Sequence, residues 1–192
     1  MDINSTYSDV ISTIALIFSG YALYQTRKTI TVTWGDISEI DSNNLHFSNE
    51  PIPYKTKRIF YTTLTIVNSS PCDISFFDLR AFNPDININY NIINKNILPY
   101  DLRNQSIILD ILNYPSFMNI PDRLYGMLPS NSFTKFDLFI IDSPICKISG
   151  QKLVISFKIP DTCIFKKDVY AVTNRRKFKT YQKTIFLEQH ID

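Results

Sequence analysis

Glycine and histidine are scarce in this chain, which has four glycines and two histidines among 192 residues. So few glycines leave little material for a glycine-rich phosphate loop, which needs glycine where the backbone approaches the phosphate. The motifs G-x-S-x-G and H-E-x-x-H are also absent. Two histidines leave few side chains of the type that most often transfers protons near neutral pH. We therefore predict no catalytic residues, no cofactor and a protein that is not an enzyme.

Cysteine is almost as rare, with Cys72, Cys146 and Cys163 at positions that include no C-x-x-C pair. An odd number of cysteines argues against a full disulfide framework, and low cysteine content fits a reducing compartment. A structural zinc site needs four closely spaced ligands, and His46 and His190 lie far from any cysteine in the sequence. We expect no metal site, and we expect each cysteine to be a small buried side chain.

Charged residues are absent from Val10 to Thr26, a stretch that is typical of a helix. At ~1.5 Å per residue this helix is about 26 Å long, slightly shorter than the ~30 Å hydrocarbon core of a bilayer. The sequence predicts a tail over residues 1–9 and a single transmembrane helix over residues 10–28. The alternative is a buried or interfacial helix of a soluble domain.

The charges that flank this helix predict its orientation. A cleaved signal peptide would begin with basic residues, whereas this chain has Asp2 and Asp9 before the helix and Arg27-Lys28 after it. Basic residues favour the cytoplasmic side of a membrane. We therefore expect a single-pass protein of the cell membrane whose C-terminal domain is cytoplasmic.

Small residues recur on one face of the predicted helix, at spacings of three, four and three: Ser12, Ala15, Ser19 and Ala22. Small side chains allow two membrane helices to approach closely. The spacing therefore indicates self-association through this face, which would make the protein a homo-oligomer. The alternative is the ordinary composition of a membrane helix.

Residues 29–192 are predicted to form an all-β domain. Alternation of apolar and polar residues, which is typical of half-buried strands, is clearest in Ile59–Asn68, and Asp73–Phe82 is expected to pair with that strand as a hairpin. Residues 83–131 are rich in asparagine and proline, so we predict an irregular insertion of short edge strands and loops there. Further strands are predicted at residues 30–34, 133–141, 152–159 and 177–188.

Two short stretches resemble immunoglobulin-like modules of bacterial surface and accessory proteins. Thr65-Ile-Val-Asn-Ser-Ser-Pro-Cys-Asp-Ile-Ser-Phe76 resembles their hairpin, and Leu128-Pro-Ser-Asn-Ser-Phe-Thr-Lys-Phe136 resembles a turn and strand that recur later in such modules. The resemblance implies a membrane-anchored, immunoglobulin-like β-sandwich, with a partly closed barrel as the other arrangement, and it identifies no ligand site. An antibody-type domain is excluded, because Trp34 precedes all three cysteines.

Positive charge is concentrated in residues 152–183, which have nine basic and two acidic residues, a net charge of +7 against +2 for the whole chain. Such asymmetry indicates an anionic partner, either the inner leaflet or a nucleotide or nucleic acid. The alternative is an edge strand that lysines protect from aggregation. The candidate residues for an anionic ligand or lipid surface are Lys166, Lys167, Arg175, Arg176, Lys177 and Lys179.

These features together predict an interaction module at the inner face of the membrane, with an unknown protein or the membrane itself as partner. The alternative function is an antiviral defence effector that disrupts the membrane. In outline the chain resembles bacterial effectors that join membrane helices to a β-barrel sensing an anionic nucleotide signal. Those effectors typically have two helices, and this chain has one predicted helix.

Overall fold

The computed structural model describes residues 3–25, 29–47, 58–111, 114–141, 152–160 and 178–187. Within these ranges one helix, α1 (Ile3–Gln25), precedes the strands, and 3-10 turns lie at Ser42–Asn44 and Lys95–Ile97. The strands are β1 (Ile30–Trp34), β2 (Ser38–Asp41), β3 (Leu45–Phe47), β4 (Arg58–Asn68), β5 (Ile74–Asn83), β6 (Ile88–Ile92), β7 (Ile107–Ile111), β8 (Tyr114–Met118), β9 (Gly126–Leu128), β10 (Ser132–Ile141), β11 (Lys152–Pro160) and β12 (Phe178–Phe186).

Helix α1 begins within the residues that were predicted to be a tail, since no proline or glycine interrupts residues 3–9. Its side chains are exposed at Tyr7 and throughout residues 9–22. Among the described residues, no helix has both the length and the apolar character that crossing a membrane requires. The predicted transmembrane span is therefore not supported.

Nine of the described strands form one antiparallel sheet in the order β1-β4-β10-β6-β5-β11-β12, with β2 added to β4 and β9 added to β5. This sheet curls into a nearly closed, barrel-like form. Strands β3, β7 and β8 form a separate three-stranded sheet. The prediction of an all-β domain is confirmed, and the partly closed barrel describes this sheet better than the sandwich does.

The two ends of the long sheet, β1 and β12, approach each other along a seam. The Phe157 ring on β11 lies 6.1 Å from the Trp34 ring on β1 and stacks at 5.3 Å on the Tyr181 ring on β12. Lys183 Nζ donates a 2.8 Å hydrogen bond across the seam to the carbonyl oxygen of Gly35. A Cβ atom at Gly35 would collide with the Thr63 side chain on β4, so glycine allows residue 35 to lie close against that strand.

The second half of strand β10, from residue 137 to residue 140, is buried on both faces and separates two hydrophobic cores. Leu138 and Ile140 point into the core inside the barrel, whereas Phe139 packs into a second core between the barrel and the three-stranded sheet. Side chains alternate between the faces of a strand, so an uninterrupted apolar run is what a strand covered on both sides requires. The second core also contains residues of the insertion, among them Leu98 and Leu102.

The predicted hairpin between β4 and β5 is wrong. Strand β4 pairs with β1, β2 and β10, whereas β5 pairs with β6, β9 and β11. The buried amide of Asn68 explains the change of direction, because its Nδ2 donates to the carbonyl oxygens of Cys72, Leu128 and Pro129. These bonds turn the chain away from β4 and tie it to the segment before β10. Cys72 lies in this turn and is exposed, so the expectation that it is buried is also wrong.

Candidate functional site

A polar cavity of about 480 Å³ opens within the insertion, between the segment that precedes β7 and the end of β8. It is lined by residues 95–96, 103–107, 118–120 and 122–123. All of these lie in the asparagine- and proline-rich part of the chain. The insertion therefore builds a cavity of the size that small-molecule sites usually have.

Backbone hydrogen bonds hold two separate segments together as the walls of this cavity. Lys95 N donates to Pro121 O at 3.0 Å, and Asn96 N donates to Asp122 O at 3.1 Å. Because these bonds involve main-chain atoms, they fix the relative position of the two walls without using the lining side chains. Leu98 anchors the first wall in the second core.

The other wall is fixed to the barrel by a buried carboxylate. Asp137 on β10 is 2% exposed, and its Oδ2 accepts a 2.7 Å hydrogen bond from Asn119 N. Asp137 N in turn donates to Asn119 O at 2.9 Å, while Asn119 Nδ2 donates to Lys135 O. Asn119 is thereby held on both its backbone and its side chain.

The phenol of Tyr61 completes the environment of this carboxylate by donating a 2.9 Å hydrogen bond to Asp137 Oδ1. Burial raises the pKa of Tyr61 far above its ordinary value, and the hydrogen bond and negative charge of Asp137 raise it further. The phenol therefore stays protonated and keeps donating well into the alkaline range.

We expect Tyr61→Phe to reduce the amount of stability that the folded chain loses as the pH rises into the alkaline range. A raised folded-state pKa stabilises the folded chain fully below the unfolded pKa near 10, and this contribution is lost as pH rises beyond that value. At pH 8 the variant should be about 1–2 kcal/mol less stable, because it lacks a hydrogen bond to a charged group. Urea unfolding between pH 8 and 11 measures both effects. Tyr114→Phe, at an exposed site, is the matched control, and equal pH profiles for both variants would contradict the prediction.

Of the residues that the structure describes, three basic ones and one acidic one line the cavity. Lys95 Nζ pairs with the Asp122 carboxylate at 2.7 Å. Arg103 donates from Nε to Leu98 O at 3.0 Å and from Nη2 to Asn96 O at 3.1 Å. Arg123 donates from Nη1 to the hydroxyl of Tyr125. The cavity thus has a formal excess of two positive charges.

The Gln105 amide in the cavity wall is poorly satisfied. Its Oε1 is buried without a hydrogen-bond partner among the described residues, and its Nε2 makes only a long 3.5 Å contact with Asp101 O. A buried polar atom without a partner is costly, and such atoms are rare in folded proteins. The cavity wall therefore has a polar group whose hydrogen-bonding capacity is largely unused.

The cationic site predicted in the C-terminal region is mostly untested. Lys166, Lys167, Arg175, Arg176 and Lys177 lie outside the described residues. Lys179 is exposed on β12, with its Nζ 4.9 Å from the centre of the Tyr181 ring. This basic site stays a prediction, and its one described residue, Lys179, does not line the cavity.

The four small residues proposed for self-association all lie in α1. Their side chains are exposed, and a continuous helix keeps their spacing on one face. Self-association stays a prediction. The residues in question are Ser12, Ala15, Ser19 and Ala22.

The cavity was missed in the sequence because its charges are dispersed. Lys95 and Arg103 lie at separate positions of the connection between β6 and β7, and Arg123 lies between β8 and β9, so no local run of basic residues marks the site. The one available signal was the insertion itself, since long irregular segments in compact domains are often functional.

No protein-family model and no curated protein matches this chain. Among solved structures, the chain is similar to ycdA, a proposed lipoprotein of Bacillus subtilis, with 8% sequence identity and a TM-score of 0.37. The match covers 81% of this chain and 38% of ycdA, so the chain spans less than half the length of that protein. A superposition at this score supports no argument about function, and the immunoglobulin-like resemblance stays a prediction.

Proposed function

We propose that this chain is a membrane-associated interaction module, in which α1 holds the β-domain at the inner face of the membrane. One observation carries the proposal: over residues 10–22, α1 exposes its apolar side chains on every side. Large exposed apolar surfaces mark sites that contact a membrane or another protein. A helix without a polar face suits lipid better than the one-sided groove of a protein partner.

The residues at the two ends of the apolar stretch of α1 also favour a lipid environment. Tyr7 and Tyr21 are both exposed, one near each end of the apolar stretch, and tyrosine is enriched where a membrane meets water. The basic pair Arg27-Lys28 follows the helix in the sequence, which favours the cytoplasmic side for the domain.

We expect the double substitution Ile14→Lys and Phe18→Lys to release the chain from membranes. Both side chains are exposed on α1, and burying a large apolar side chain contributes about 1.5–3 kcal/mol, which a charged lysine does not supply. The chain should move from the membrane pellet to the supernatant after cell fractionation. Phe133→Lys with Met127→Lys, at two exposed sites of the β-domain, is the matched control and should stay in the pellet.

Retention of the α1 variant in the pellet, or absence of the native chain from it, would refute the proposal. Carbonate extraction separates the two ways in which α1 can associate. A helix that crosses the bilayer stays with the membrane, whereas one that lies in the interface is released.

Labelling of the exposed Cys72 thiol shows on which side of the membrane the β-domain lies. In a chain with Cys146→Ser and Cys163→Ser, a membrane-impermeant maleimide should label Cys72 only after lysis. Labelling in intact cells would place the domain on the outer face.

No observation favours the antiviral effector over the interaction module, so that alternative stays a prediction.

A further inference from the structure

We propose that the cavity in the insertion binds a small phosphate monoester that also carries hydroxyl groups, such as a sugar phosphate or a nucleoside monophosphate. This inference concerns a different part of the molecule from α1 and does not depend on membrane association. It rests on the charge balance of the cavity, the fixed geometry of Arg103, and the unused polar capacity of Gln105.

The charge balance matches a dianion. Lys95, Arg103 and Arg123 face one carboxylate, that of Asp122. A phosphate monoester carries about −1.5 to −2 charges at pH 7, which neutralises the excess of two positive charges. A neutral ligand would leave these charges uncompensated, and a cation would be repelled.

Arg103 is arranged as an anion receptor. Backbone carbonyls hold its Nε and Nη2, so the plane of the guanidinium is fixed before a ligand binds. Within the described part of the chain, these bonds use two of the five N–H donors of the group. The remaining donors suit the paired oxygens of a phosphate, which arginine binds with two parallel hydrogen bonds.

The unused hydrogen-bonding groups of the Gln105 amide are the reason for proposing a ligand that carries hydroxyl groups. Among the residues that the structure describes, the buried Oε1 of Gln105 has no partner and its Nε2 makes one long contact. A rotation that turns this amide into the cavity would let a ligand hydroxyl donate to Oε1 and accept from Nε2. An inorganic phosphate fills only part of about 480 Å³, so a sugar or nucleoside can occupy the rest beside Ile107 and Met118, which also line the cavity.

Calorimetric titration of the full chain in detergent micelles tests this proposal with ribose 5-phosphate, AMP, inorganic phosphate and ribose. We expect at least one of the two monoesters to bind more tightly than inorganic phosphate, and ribose not to bind. Tighter binding of ribose 5-phosphate would identify the ligand as a sugar phosphate, and tighter binding of AMP would identify it as a nucleotide. Absence of binding by both monoesters, or equal binding of ribose, would overturn the proposal.

Variants assign the binding to this cavity. Arg103→Gln and Arg123→Gln should each weaken monoester binding about tenfold or more, since each removes a charge-assisted hydrogen bond. Arg123 is exposed and contacts Tyr125, so its variant should fold even if Arg103→Gln does not. Lys179→Gln removes an exposed positive charge outside the cavity and is the matched control. Affinity that falls with Lys179→Gln and not with Arg123→Gln would place the anion on β12 and refute the proposal.

Gln105→Leu separates a binding role from a structural one. It removes a buried oxygen that lacks a partner, so we expect the melting temperature of the unliganded chain to rise. The same variant should bind the monoester about tenfold more weakly or worse. Unchanged affinity would show that Gln105 does not touch the ligand and would overturn that part of the inference.

Discussion

We expect Asp137→Ala to lower the free energy of unfolding by about 2–4 kcal/mol, because it removes the buried carboxylate that accepts hydrogen bonds from two partly buried donors. The carboxylate accepts from the Tyr61 hydroxyl through Oδ1 and from Asn119 N through Oδ2. The Asp137 side chain is 2% exposed, and it lies on β10 two residues before Phe139, which packs in the second core. Urea unfolding at pH 7 measures the loss.

The same substitution should also disturb the cavity. Asn119 lines it, and Asp137 fixes the position of Asn119. Monoester binding should therefore weaken in Asp137→Ala even in conditions where the chain is fully folded. Asp36→Ala is the matched control, since Asp36 is fully exposed, and it should change stability by no more than about 0.5 kcal/mol. Equal losses for both variants would contradict the structural role of Asp137.

Strand positions were predictable from the sequence because alternation is a local property. Ile59–Asn68 alternates polar and apolar residues, and β4 covers the same stretch. The apolar run at the end of β10 predicted a strand correctly, and its two faces pack into different cores. A period of two residues is read within one strand and needs no information about the partner.

Strand pairing was not predictable in the same way. The turn after β4 looked like a hairpin, yet the Asn68 amide bonds to Leu128 and Pro129, about 60 residues away in the chain. Such contacts are decided by the packing of the whole sheet. The cavity has the same character, because backbone bonds such as that from Lys95 N to Pro121 O bring distant loops together. The charged residues of the cavity are far apart in the sequence and come together only in the folded chain, so a search for local clusters of charge does not find them.

We expect Phe157→Ala to lower the free energy of unfolding by about 3–5 kcal/mol, the usual cost of removing a buried phenylalanine ring. Phe157 is 0% exposed and contacts rings from both sides of the seam, Trp34 on β1 and Tyr181 on β12. The cavity left by the ring cannot be filled by either edge strand without moving it. We therefore expect β1 and β12 to separate at the seam, in addition to the lower free energy of unfolding.

Trp34 is the only tryptophan in the chain, so its fluorescence reports on the seam alone. In Phe157→Ala we expect its emission to shift to longer wavelength in the absence of denaturant, because water gains access to the indole. Phe133→Ala is the matched control: Phe133 is 71% exposed on β10, so its loss should change stability by no more than about 0.5 kcal/mol and should leave the emission unchanged. A large loss of stability in Phe157→Ala with unshifted emission would mean that the barrel stays closed without this ring. In that case the bond from Lys183 to the Gly35 carbonyl would be the main contact that holds β12 against β1.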